Sequence, residues 1–245
     1  MARMAAFVYG AVAYVVFLLA FVYAIGFVGN LFVPKTIDSG AEGDLVTSIV
    51  INVLLLGAFA IQHSVMARPG FKKAWTKIVP ESVERSTFVL LASLLLIVLY
   101  WQWRPMTGVI WSVENQVGNL ILQALFWIGW LQVLLSTYLI DHFDLFGLRQ
   151  VWLFATGKGY TPPVFMERSL YRFMRHPLLL GFMIAFWSTP RMTQGHLLFA
   201  AVTTIYMLVA IQLEEHDLET FHGDEYKDYQ RRVSMLIPWP PSKVR

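Results

Sequence analysis

The chain has 245 residues, of which 57% are hydrophobic and only 14% charged, against roughly 25% charged in an ordinary soluble domain. Together with a mean hydropathy of +0.55, this excludes a soluble globular domain and a disordered chain, because neither leaves so much apolar surface in water. The formal charge of +3 is too small and too scattered for a nucleic-acid partner, and with no cysteine there is no disulfide framework, thiolate metal site or cysteine nucleophile.

Crossing ~30 Å of hydrocarbon takes about 20 apolar residues. In chain order the apolar blocks predict six hydrophobic helices, over roughly 5–31, 45–67, 86–103, 118–140, 176–190 and 196–213. The first is too long for a signal peptide and lacks a small-residue cleavage pattern, so it reads as a retained span. The loop 34–44, with Asp38, Glu42 and Asp44, reads as solvated surface. The fifth helix is short, bracketed by Pro177 and Pro190, and joins the sixth through residues 191–195, which predicts a tight helical hairpin. The expected fold is all-α and polytopic, one membrane domain with four N-terminal transmembrane helices in 1–140 and a cytoplasmic loop, hairpin and tail in 141–245.

Orientation follows the Lys and Arg residues. With the N-terminus inside, sixteen fall inside, among them Arg68, Lys72, Arg149, Arg168, Arg231, Lys243 and Arg245, and only Lys35, Arg104 and Arg191 fall outside. Both termini are therefore expected in the cytoplasm. The 141–175 loop, the start of the fifth helix, the tail and the polar end of the second helix (His63, Ser64, Arg68) would share one cytoplasmic layer. A site there draws a soluble cofactor from the cytosol and an apolar substrate from the bilayer.

Three stretches carry candidate chemistry. The first runs from Tyr171 to Gly181 and contains Arg175-His176-Pro177. Proline at a helix start costs no hydrogen bond, because the first N–H groups are unpaired. Arg175 and His176 then flank a helix N-terminus that attracts anions, while Gly181 leaves the backbone open to a close approach. The plainer alternative is a membrane-entry anchor. The second stretch begins with Glu214-Glu215 and runs through Phe221, Gly223, Tyr226 and Tyr229 to Pro238. Two carboxylates at the end of an apolar helix sit at its negative pole, an unfavourable placement that a bound cation would relieve. A solvated tail is the alternative.

Taken together, Arg175-His176-Pro177, Gly181, the Glu pair, Phe221, Gly223, Tyr226, Tyr229 and Pro238 resemble the isoprenylcysteine carboxyl methyltransferase superfamily of membrane enzymes. That resemblance implies S-adenosylmethionine at the cytoplasmic face, contacted by Tyr171, Arg175, His176, Pro177, Leu179, Gly181 and Glu214. Leu179 stands where the superfamily has a tyrosine. Ala210 stands where prenylcysteine enzymes carry an arginine for a substrate carboxylate, which argues against such a substrate.

The third stretch, Asp141-His142-Phe143-Asp144 followed by Gly147, Arg149 and Gln150, closes the fourth helix. With Gln62-His63-Ser64 it resembles the methanethiol S-methyltransferases, which make dimethyl sulfide. The resemblance implies a bacterial cytoplasmic membrane enzyme and covers nearly the whole chain. A thiol is mostly protonated at neutral pH while its thiolate is the nucleophile, so a base near neutrality is useful. His142, flanked by Asp141 and Asp144, is the first candidate and His63 the second, with Asp141 orienting the ring. A buried structural histidine is the alternative for His63, and a helix-end charge cluster the alternative for Asp141 and His142. A metal site of His63, His142 and Asp141 is an alternative, but methyl transfer requires no metal, and none is expected. Arg149 and Gln150 suit either cofactor binding or locking of the loop, while Phe143, Phe146 and Trp152 suit a small apolar pocket. A larger lipid-like thiol or amine acceptor is one competing reading. A haem- or small-molecule-binding membrane protein is the other, and the retained Arg-His-Pro and Glu-Glu elements argue against it.

Overall fold

The computed structural model describes residues 1–162 and 167–238. In chain order it contains α1 (Ala2–Gly29), α2 (Leu45–Ala67), α3 (Pro69–Trp75), α4 (Glu81–Gln102), β1 (Val109–Ser112), α5 (Gln116–Ile140), α6 (His142–Leu145), α7 (Leu148–Ala155), α8 (Pro177–Trp187), β2 (Arg191–Thr193), α9 (Gln194–His222) and α10 (Asp224–Arg232), with a 3-10 turn over Ser169–Arg172. Lys243 and Arg245, counted among the inside charges, lie outside the described residues.

Among the described residues five helices are long and apolar enough to cross a membrane: α1, α2, α4, α5 and α9. This is the build of an integral membrane protein. Of the six expected hydrophobic helices the fifth, α8, has 11 residues and at 1.5 Å per residue reaches only about 16 Å. The joint between α8 and α9 is also not a bare turn. β2 pairs antiparallel with β1, so the all-α expectation is corrected by a small two-stranded sheet. Hydropathy also shortened α4 and α9: each continues into polar sequence, α4 beginning at Glu81 and α9 running on to His222.

Two compact units are present. In the first, α1 packs on α4 and α7, and α4 on α2. Asp44 caps α2 by accepting from Thr47 N at 2.8 Å, and buried Asn52 exchanges two hydrogen bonds with the Arg104 backbone just past the end of α4. Gly147, at φ +87, begins α7 and lies so close to Ser86 that a Cβ would stand 2.7 Å from its nitrogen. Only glycine adopts that backbone at no cost and fits the gap.

In the second unit α5 packs along α8. Gly129 and Gly181 face each other there: a Cβ on Gly129 would come within 2.7 Å of Gly181 O, and one on Gly181 within 2.8 Å of Gly129 O. Small residues let membrane helices touch backbone to backbone. Gln132 of α5 adds a bond from Nε2 to Pro177 O, 2.8 Å long, which holds the first turn of α8. Tyr226, Tyr229 and Val233 form a buried cluster against Leu218, docking α10 on the polar end of α9.

Candidate functional site

His176 is the N-cap of α8 and Pro177 its first helical residue, as the sequence predicted. The extended backbone before the helix is held by the segment that follows α10. Arg175 N donates to Ser234 O at 2.9 Å and His176 N to Met235 O at 3.1 Å, beside a parallel bridge between Met174 and Ser234.

The centre of this arrangement is Glu215. Its Oε1 accepts from Arg175 Nε at 2.6 Å and His176 Nε2 at 2.9 Å, while its Oε2 accepts from Arg175 Nη2 and Gln230 Nε2, each at 3.2 Å. A buried carboxylate is stable only when paired and hydrogen-bonded, and this one has four donors. Arg175 also donates from Nη1 to Gln230 O at 3.1 Å and Val233 O at 2.5 Å. Its guanidinium therefore faces inward onto the protein's own acceptors, where the resemblance implied a contact with S-adenosylmethionine. The opening expected at Gly181 is likewise filled, by α5.

Glu214 is placed differently. Its side chain is 55% exposed against 10% for Glu215, and its Oε2 stands 3.7 Å from His176 Nδ1, beyond hydrogen-bond range. The pair does not lie at a helix end, since α9 continues past it to His222; the expected clash with the helix dipole is absent. Tyr171, in the 3-10 turn, donates no backbone slack: its carbonyl accepts from Tyr229 Oη at 2.6 Å. Burial raises the Tyr171 phenol well above its ordinary range, with the Glu214 charge adding to the effect. Leu179 lies half-buried in the first turn of α8.

In the first unit His142 is buried at the start of α6, and its Nε2 lies 2.8 Å from Tyr14 Oη of α1. Phe146 meets the imidazole edge-on at 4.9 Å and stacks on Phe17 at 3.8 Å. Burial pushes the His142 imidazole below the usual histidine range, opposed by the charge of Asp141. Asp141 is the N-cap of α6, accepting from Asp144 N at 3.1 Å. Asp144 is held by Arg149 Nη1 at 2.8 Å and by Tyr160 Oη at 3.2 Å. Arg149 also donates to Thr161 O, so the loop-locking alternative describes its geometry.

His63 stacks on Phe59 and lies 4.9 Å from the Phe88 ring. Phe88 belongs with Met66 and Val89 to a buried cluster against which Phe146 packs. The two histidines thus rest on one aromatic cluster, His63 through Phe88 and His142 through Phe146. His63 Nδ1 is buried with no hydrogen-bond partner among the described residues. No group of three His, Asp or Glu side chains suited to a metal occurs among the described residues. Of the pocket-wall candidates, Trp152 instead packs edge-on against Phe7. Sequence reasoning passed over Glu215 as a site residue and Tyr14 altogether. The only signals were the second carboxylate of a known pair and one of three phenols, with Tyr9 and Tyr23, in an apolar helix.

Comparison with known proteins completes the picture. The chain is 58% identical over 240 residues to a methanethiol S-methyltransferase of Mycobacterium tuberculosis, covering 98% of each chain. It is 54% identical over 231 residues to one of Crocosphaera subtropica, covering 94% of this chain and 91% of that one. The chain belongs to the methanethiol S-methyltransferase family. A more distant likeness joins it to nurim of Mus musculus, 29% identical over 203 residues and 80% of this chain. No protein-family model matches the chain, and no solved structure does. Membership of the methanethiol S-methyltransferases bears out the resemblance read from the Asp141–Gln150 and Gln62–Ser64 stretches, and it favours a methyltransferase over the haem-binding alternative.

Proposed function

We propose that this chain transfers the methyl group of S-adenosylmethionine to methanethiol, giving dimethyl sulfide, in a bacterial cytoplasmic membrane with both termini inside. The observation that carries the reading is the division of the Glu pair in a member of this family. Glu215 is consumed by Arg175, His176 and Gln230, while Glu214 projects an exposed carboxylate beside His176. S-adenosylmethionine bears an ammonium, ribose hydroxyls and a sulfonium, and the sulfonium supplies the transferable methyl. An exposed carboxylate accepts from ammonium and hydroxyl donors, so Glu214 fits that group. Arg175 acts as the strut that fixes His176, Pro177 and the first turn of α8.

On the acceptor side the thiol must lose its proton. His142 is the residue for this step, because a buried imidazole held below the usual range is neutral at cytoplasmic pH and can take up a proton. Asp141 shapes the turn that presents it. The aromatic surroundings of Phe17, Phe143 and Phe146 suit a substrate of one carbon and one sulfur.

The test is headspace gas chromatography over detergent-purified protein given S-adenosylmethionine and methanethiol, with a Glu214→Ala/His142→Ala double variant as blank. Dimethyl sulfide above the blank is the expected result. Cofactor binding by calorimetry without product would retain the methyltransferase and discard the small thiol; neither binding nor product from folded protein would overturn the reading.

A further inference from the structure

An imidazole that has accepted a proton is a donor at both ring nitrogens. The His142 ring lies in aromatic surroundings, with Phe143 at 5.4 Å and Phe146 at 4.9 Å between ring centres. A ring N–H pointed into such a box without an acceptor would lose a hydrogen bond it makes in water. One hydroxyl answers this at Nε2: Tyr14 Oη at 2.8 Å. Tyr14 reaches it from α1, an otherwise apolar segment whose single charged residue is Arg3.

We propose that Tyr14 is a positioning residue for methyl transfer, whose hydroxyl orients the His142 ring and accepts a hydrogen bond from the Nε2–H of the imidazolium formed when the thiol is deprotonated. This rests on the reading of His142 as the base. In the step, the S–H bond of methanethiol breaks and its proton goes to His142. The electron pair left on sulfur forms the new bond to the methyl carbon, whose former bonding pair leaves with the sulfonium sulfur. One positive charge disappears from that sulfur and one appears on His142. Tyr14 stabilises the latter and makes the ring a stronger base.

The Tyr14 ring is also placed by packing, at 6.0 Å from Phe17 and 6.3 Å from Phe143, so Tyr14→Phe removes the hydroxyl and keeps the box. The other charged groups about the ring stay as they are. Asp141 caps its helix, Asp144 is paired with Arg149 and Tyr160, and Arg85 of α4 donates from Nε to Leu145 O.

In Tyr14→Phe the plateau turnover should fall about threefold to tenfold, the worth of one hydrogen bond. The acid limb of the rate profile should move to lower pH, and KM for the cofactor should not change. In a His142→Ala background the same substitution should change nothing, whereas a purely structural tyrosine would lower both. An unmoved acid limb, or an equal loss in both backgrounds, overturns the proposal. A readout independent of turnover is the NMR titration of His142 in histidine-labelled protein, its signal assigned by its absence in His142→Ala. A lower midpoint in Tyr14→Phe is expected, and an unchanged one overturns the coupling. Wild-type protein that makes no dimethyl sulfide overturns the methanethiol reading while this titration still decides on Tyr14.

Discussion

Glu214 and Glu215 are neighbours in the chain with opposite surroundings. The second takes four hydrogen bonds from Arg175, His176 and Gln230, while the first stands out into solvent 3.7 Å from His176. Consecutive helical residues point about 100° apart, so one turn of α9 serves both the interior and the exposed face.

The pair should therefore separate by measurement. Glu215→Gln leaves the Arg175 guanidinium buried beside an uncharged partner, and breaking a buried pair costs about 3–5 kcal/mol. Its melting temperature in detergent should drop clearly, with activity lost alongside. Glu214→Gln should melt with the wild type and bind S-adenosylmethionine about tenfold to a hundredfold more weakly by calorimetry, as expected for a charge-assisted hydrogen bond.

His142→Ala should lower kcat roughly a hundredfold, the lower range for a general base, and leave cofactor affinity unchanged. Burial holds the ring below the ordinary histidine range, opposed by the charge of Asp141, so its neutral form prevails at pH 7. Turnover should be flat above that value and fall as pH drops through the depressed folded value. Stability follows the same sign: the contribution of the neutral ring is complete above the unfolded pKa and is lost as pH falls through the folded one. A kcat series from about pH 5 to 8 checks both directions when run beside melting curves.

The close approach of Gly129 and Gly181 makes a third case. In either substitution to alanine the added Cβ meets helix backbone, not a yielding side chain. Overpacking of this kind costs about 1–3 kcal/mol. Gly181→Ala should reduce thermal stability and turnover together, because α5 also supplies the Gln132 bond to Pro177. Full stability with weakened cofactor binding would instead return Gly181 to the cofactor contacts.

At the other end of α2, Asp44→Ala removes the cap that accepts from Thr47 N and Oγ1. A loss of about 1 kcal/mol in stability is expected, with kcat and KM unaltered in the same preparation.

What was legible in the sequence followed physical kind. Apolar runs revealed α2 to the residue and α1 and α5 to within three residues, because the bilayer imposes length and composition together. The same signal misjudged α4 and α9 where they continue into polar sequence, since hydropathy reports the solvent and not the backbone. Arg175, His176 and Pro177 were found from the logic of a helix start, and the start is where they lie. Which side chains the fold consumes was not legible: the inward turn of Arg175 depends on Val233 and Gln230, more than fifty residues away. Tyr14 was invisible for a related reason, as nothing local sets it apart from Tyr9 and Tyr23 in the same apolar helix.

The two backbone bonds from Arg175 and His176 to Ser234 and Met235 bear on how the enzyme is made. The segment proposed to hold the cofactor cannot take its final shape until Ser234 and Met235 have been synthesised and have left the ribosome. Until then a nascent chain can insert its apolar helices without a finished cofactor pocket. Truncation just before Val233 would spare every residue assigned to the chemistry and still leave the pocket unassembled.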